Sequence, residues 1–203
     1  MSAPSEDGNA PVWGNGFDLV IKKQGEEAES LYILHYRSAI LSTKYNDYIQ
    51  IPSIILQTLT GFLSASSNLV PPIALGAVSI FTAILATFLS YYKFSAKAAN
   101  HKVASTLYFK IYKSVEVTLS LPPEQREDAE KLLADLRDKL ARISEIAPDL
   151  SESVIADYKK EFKDSLASKP LVANGLSTIE LYKRPSLVSV DSPGIPIKLI
   201  TPK

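Results

Sequence analysis

Charges are unevenly placed along this chain. Between Asp47 and Lys93 no Asp, Glu, Lys, Arg or His occurs, while on either side charged residues return every few positions. A helix crossing the hydrocarbon core of a bilayer needs roughly 20 apolar residues, and this run is about twice as long. It also carries its own punctuation. "SASSN" (64–68) is small and polar, and "VPP" (70–72) ends one helix and supplies the first turn of the next, because proline lacks a backbone donor but suits a helix start. The pattern therefore predicts two spans, 49–67 and 71–92, with a bend at Pro52. A soluble helix of this length shows a polar face, and neither half has a charged residue on any face.

The flanks read as helices with apolar stripes. Residues 25–48 place Leu31, Leu34, Leu41, Tyr45 and Tyr48 near one face. Residues 93–120 do the same with Phe94, Ala98, His101, Leu107, Ile111, Val115 and Leu119. "LPP" (121–123) stops that helix, and the next is expected to start at Pro123, with acidic residues in its first turn. Leu133, Leu136, Leu140, Ile143 and Ala147 then alternate three and four apart, a two-heptad seam suited to packing inside a bundle. A last helix is expected over 151–166, capped by Asp149 or Ser151. From 168 to 203 prolines at 170, 185, 193, 196 and 202 exclude helix. That tail is either disordered or an extended arm that orders on a partner, for example by adding a strand to a sheet edge. The segment before residue 25, with "VWGNGFDLVIKK", looks similar.

Small and weakly polar residues recur at helical spacing on both spans: Ser53, Gln57, Thr60 or Gly61, and Ser64 on the first, Gly76, Ser79, Ala83, and Ala86 or Thr87 on the second. Such stripes let helices approach closely in lipid. They either pack the two spans on each other or line a polar pathway in a larger assembly. Gln57 is the most polar group at depth and needs a partner there.

Composition narrows the function. The 203 residues hold 22 basic and 22 acidic side chains, which offers no clustered positive field for nucleic acid. Cysteine is absent, so disulfides, thiolate catalysis and Cys-ligated zinc are excluded. The N-terminus lacks the features of a cleaved signal peptide. Arg37 and Lys44 precede the first span and Lys93, Lys97 and Lys102 follow the second, placing both termini on the cytoplasmic side. No phosphate-cradling glycine loop is present. The two histidines, His35 and His101, count to different depths from the membrane edge, arguing against a shared metal site. The carboxylates of 124–164 have cations nearby and read as a solvated face. No catalytic, cofactor-binding or metal-binding residue is expected.

The stretch "HYRSAILSTKYNDYIQIPSIILQTLTG", with Tyr45, Tyr48 and Ile51–Pro52, resembles the approach to the first span in two-transmembrane proteins of the SLATT type. "HKVASTLYFKIYKSVEVTLSLPPEQR", with Leu119, Leu121 and Arg126, is similar to the region after the second span. The likeness covers about residues 30–165 and is closest in look to the version carried by large DNA viruses of algae and protists. It implies one of two roles: a pore-forming membrane effector, or a virion component linking an internal membrane to the capsid.

The resulting expectation is an all-α membrane protein: a two-span hairpin continuing into a cytoplasm-side helical bundle, with extended N- and C-terminal arms. Its segments are an arm (1–24), a juxtamembrane helix (25–48), spans at 49–67 and 71–92, a bundle (93–166) and a Pro-rich tail (168–203). It would be non-enzymatic and cofactor-free, a virion minor capsid or membrane protein. Its partners would be the bilayer, other structural proteins bound through the arms, and further copies of itself, with no nucleic acid.

Overall fold

A computed structural model describes residue 13 and residues 15–65 and 70–175. These are all-helical, with no strand among the described residues. The helices are α1 (Asn15–Ala65), α2 (Pro72–Tyr92), α3 (Phe94–Ser120), α4 (Ala129–Ile146), α5 (Glu152–Glu161) and the single turn α6 (Leu171–Asn174), with a 3-10 turn at Pro123–Gln125.

Two long antiparallel arms form the frame. One is α1, unbroken for 51 residues with Pro52 inside it, or about 76 Å at 1.5 Å per residue. The other is α2 followed directly by α3. Lys93 joins them in the left-handed conformation (φ 49°), yet hydrogen bonding runs through it: its N–H donates to Leu89 O, and its carbonyl accepts from Lys97 N–H, both at 3.0 Å. Aromatic rings gather at this joint. Tyr92 stacks on Phe94 (5.4 Å), and Phe94 also meets Tyr45 of α1 (5.8 Å).

The charged halves of both arms form the bundle. Ile21 and Ala28 of α1 pack with Ala104, Tyr108, Ile111 and Val115 of α3 and with Leu132, Leu136 and Ile143 of α4. Leu133 and Leu140 flank that core rather than fill it. A second cluster joins Leu34 of α1 to Val154 and Tyr158 of α5 and Ala173 of α6. The N-terminal part of α1 is thus a bundle member, and the segment expected to be an arm up to residue 24 is helical from Asn15 onward. The reason lies in Ile21, which is completely buried and supplies the core with its first large side chain.

Two helix boundaries also differ from expectation. Pro123 opens only a 3-10 turn, and α4 starts six residues later, where Asp128 accepts a hydrogen bond from Glu130 N–H at 2.9 Å. Ser151, not Asp149, caps α5, accepting from Val154 N–H, and α5 stops at Glu161, short of residue 166. Tyr158 of α5 donates its OH to Ser30 of α1 (2.8 Å), and Ser168, where the predicted tail begins, donates its N–H to Glu26 of α1 (2.8 Å). Residues 176–203, most of the predicted tail, lie outside the described residues.

Candidate functional site

Among the described residues one helical stretch, Pro72–Ser120, is long and apolar enough to cross a membrane, with a mean hydropathy of 2.1 over its apolar part. The uncharged end of α1, diluted by Gln50, Pro52, Gln57 and several hydroxyls, pairs with it. Large apolar side chains on both point outward: Ile54, Leu59 and Phe62 on α1, Ile73, Ile80 and Ile84 on α2, all more than half exposed. A soluble monomer rarely leaves so continuous an apolar surface in water.

Most serine and threonine hydroxyls of this hairpin are satisfied without leaving their own helices. Ser53, Thr58, Thr60 and Ser64 on α1 each donate to the carbonyl four residues back, at 2.7–2.9 Å. On α2, Ser79 and Thr87 do the same and Thr82 donates three residues back, all at 2.9 Å. Polar atoms arranged in this way need no water, which is the condition for residence in hydrocarbon.

The seam between the helices differs from the stripes expected in the sequence. Its buried members are Ser53 (3% exposed) and Thr82 (6% exposed), accompanied at heptad-like spacing by half-buried Leu56, Thr60 and Leu63 on α1 and Val78, Leu85 and Leu89 on α2. Of the small and polar residues singled out for packing, only Ser53 and Thr60, the alternative to Gly61, lie in this contact. Gln57, Gly61, Ser64, Gly76, Ser79 and Ala83 are exposed, and a Cβ placed on Gly61 or Gly76 would meet nothing within 4 Å. The remaining small residues therefore face away from the seam, as do the largest apolar side chains.

Below the hairpin the structure corrects the treatment of the histidines. His35 of α1 and His101 of α3, expected at different depths, meet with Nδ1 atoms 3.0 Å apart. Counting from separate membrane edges hides the real register. Tyr45 lies against Phe94, and Tyr32 against Phe109 (5.1 Å), which leaves the two histidines about one helical turn apart, within reach of two imidazoles. Both are buried, 3% and 5% exposed, and Tyr108 stacks on His35 at 5.5 Å. Burial, and secondarily His101, push His35 down to about 4. Burial and then Lys97 lower His101 as well. At neutral pH both rings are therefore uncharged. One turn along α1, Ser38 keeps a buried hydroxyl with no hydrogen-bond partner among the described residues.

At the far end of the bundle Arg126 gathers the chain. Its guanidinium donates to Leu121 O (2.8 Å), Leu119 O (3.1 Å) and Asp18 (2.9 Å), and lies over the Trp13 ring at 4.8 Å. Trp13 Nε1 in turn donates to Glu127 O at 2.8 Å. The side chain is 9% exposed. Leu119, Leu121 and Arg126, the residues that carried the resemblance in this region, are thus one hydrogen-bonded unit.

A shallow apolar groove between α3 and α4 is floored by Leu107, Ile111, Leu136 and Ile143. Two of the cations on its rim are already engaged, Lys139 with Asp135 (2.6 Å) and Arg142 with Asp138 (2.9 Å). No cluster of three or more metal-ligating side chains occurs among the described residues. Comparison with family models, curated proteins and solved structures finds no match.

Proposed function

We propose that the chain is a non-enzymatic, two-span membrane protein whose hairpin anchors the helical bundle to a bilayer and whose terminal segments bind neighbouring structural proteins. The observation that carries this is the outward-facing apolar surface of α2 and the end of α1, combined with hydroxyls satisfied inside their own helices. Charged side chains return abruptly at Asp47 and Lys93, beside the rings of Tyr45, Tyr91, Tyr92 and Phe94, as at a membrane–water boundary. The basic residues on both sides of the hairpin favour a cytoplasmic bundle. The SLATT-type resemblance extends this to a minor capsid component tethering a virion's internal membrane to its shell.

Protease protection in proteoliposomes, followed by pull-down with and without residues 168–203, tests the proposal. Bundle and both termini are expected on one side, and loss of the tail is expected to abolish binding to other structural proteins. Retention of all binding after deletion sinks the tether.

One observation favours a second reading, a pore-forming effector. Gln57 has no hydrogen-bond partner among the described residues, and with Gly61, Ser64, Gly76, Ser79 and Ala83 it faces away from the hairpin seam, where further copies could meet it. Dye release from liposomes separates the two: leakage abolished by Gln57→Leu supports the pore, and no leakage at any protein density supports the anchor.

A further inference from the structure

We propose that His35 and His101 form a proton-operated latch that clamps α1 to α3 beneath the hairpin and releases when both rings become charged. The ring centroids are 5.2 Å apart and the Nδ1 atoms 3.0 Å apart. The difference is taken up by the two ring radii, so each nitrogen points straight at the other. That is the geometry of an N–H···N hydrogen bond. A bridging metal would instead need lone pairs converging on a third point, with additional ligands.

The bond requires opposite tautomers, one ring donating from Nδ1 and the other accepting there. A first proton enters at the free Nε2 of the donor ring and leaves an imidazolium donating to a neutral imidazole, so the contact survives. A second proton can enter only at the acceptor Nδ1. Two N–H groups and two positive charges then oppose each other across 3.0 Å, and the bond is lost.

The surroundings offer no compensation. From α3, Lys97 acts on His101 with a charge of the same sign, and Tyr108 stacks on His35 as a neutral phenol held protonated by its burial. On α5, Asp157 and Glu161 act on Arg37 rather than on the pair. Among the described residues no carboxylate acts on either ring. The location gives the latch leverage: it lies between the bundle core and the aromatic joint at Lys93, where α1 and α3 run on into the apolar hairpin.

The sequence makes the test unusually clean. These are the only two histidines, and there is no cysteine, so histidine NMR reads this pair alone and spin labels need no background removal. The full chain is held in dodecylmaltoside micelles, which keeps the measurement independent of whether the hairpin spans a bilayer. Labels are placed on exposed positions of the two arms, Ile40→Cys and Val103→Cys, and the inter-label distance is followed with pH beside the 13C histidine resonances. The expected result is a shift to longer distance that coincides with the second histidine protonation and is absent from the His35→Asn/His101→Asn double variant, whose amides can hydrogen-bond but not titrate. Circular dichroism of that variant checks its helicity, and the wild-type coincidence stands as a test even if the variant misfolds. An unchanged distance after both rings are charged overturns the latch. So does opening while both remain neutral, opening that persists in a folded double variant, or a zinc-dependent shift of both rings at pH 7, which assigns a metal site instead.

Discussion

Gly25 of α1 faces Val115 of α3 so closely that a Cβ at residue 25 would sit 2.6 Å from Cγ1 of Val115. The valine has one strongly preferred rotamer in a helix and cannot swing aside. Gly25→Ala is therefore expected to lower stability by about 1–3 kcal/mol through overpacking, and Val115→Ala in the same chain to recover part of the loss. Thermal melts of the single and double variants check this. An additive double variant would show that the two positions do not touch.

Arg126 binds two backbone carbonyls, a carboxylate and an aromatic face at once, a set that a lysine cannot reproduce. Arg126→Lys is expected to cost about 1.5–3 kcal/mol, the range for hydrogen bonds to charged groups. Trp13 is the only tryptophan, so fluorescence reports the clamp directly. Its emission should move to the red in Arg126→Ala as the ring loses its cover.

The apolar face of α2 predicts a sharp response to charge. Ile80 is 66% exposed and lies near the middle of the helix. Ile80→Arg adds about 2.5–3.5 kcal/mol to membrane insertion, so alkaline carbonate extraction should move the variant from the membrane pellet to the supernatant. The same change at Val103, exposed on α3 beyond the joint, should leave fractionation unchanged.

Stability should fall on mild acidification. Both histidines have folded values below 6.5, so the unfolded chain takes up protons first. Their contribution is fully present above pH 6.5 and is lost as pH drops toward the folded value, about 4 for His35. Glu161, held below its usual range chiefly by its hydrogen bond to Arg37, loses its contribution only below about pH 4.5. In the interval from 6.5 to 4.5 the histidines are opposed by Glu27, whose carboxyl is raised above its usual range chiefly by burial and so gains stability on protonation; the melting temperature should therefore decline more in the native chain than in His35→Asn/His101→Asn, which keeps Glu27.

Large apolar residues and their spacing were readable in advance. The heptad of α4 delivers Leu136 and Ile143 to the core, the Ser151 cap lies where its side chain allows, and the uncharged run marks the apolar hairpin. What escaped was carried by small and polar side chains. The face that α1 presents to α3 contains Gly25, Ala28, His35 and Ser38, which no search for leucine periodicity would find. Arg126 acts largely on backbone carbonyls, which carry no residue signature. The histidine contact depends on the register of two helices joined through a distant tip, a property of the pair that neither strand of sequence holds alone.

Lys93 gives the two arms unlike mechanics. A non-glycine residue in the left-handed conformation costs about 1–2 kcal/mol, so Lys93→Gly should raise the melting temperature while leaving helix content unchanged. As built, α1 is a continuous strut from bundle to tip, whereas its neighbour is jointed beside the aromatic rings. Of the two connections between the apolar end and the charged end, only α1 runs without a left-handed residue.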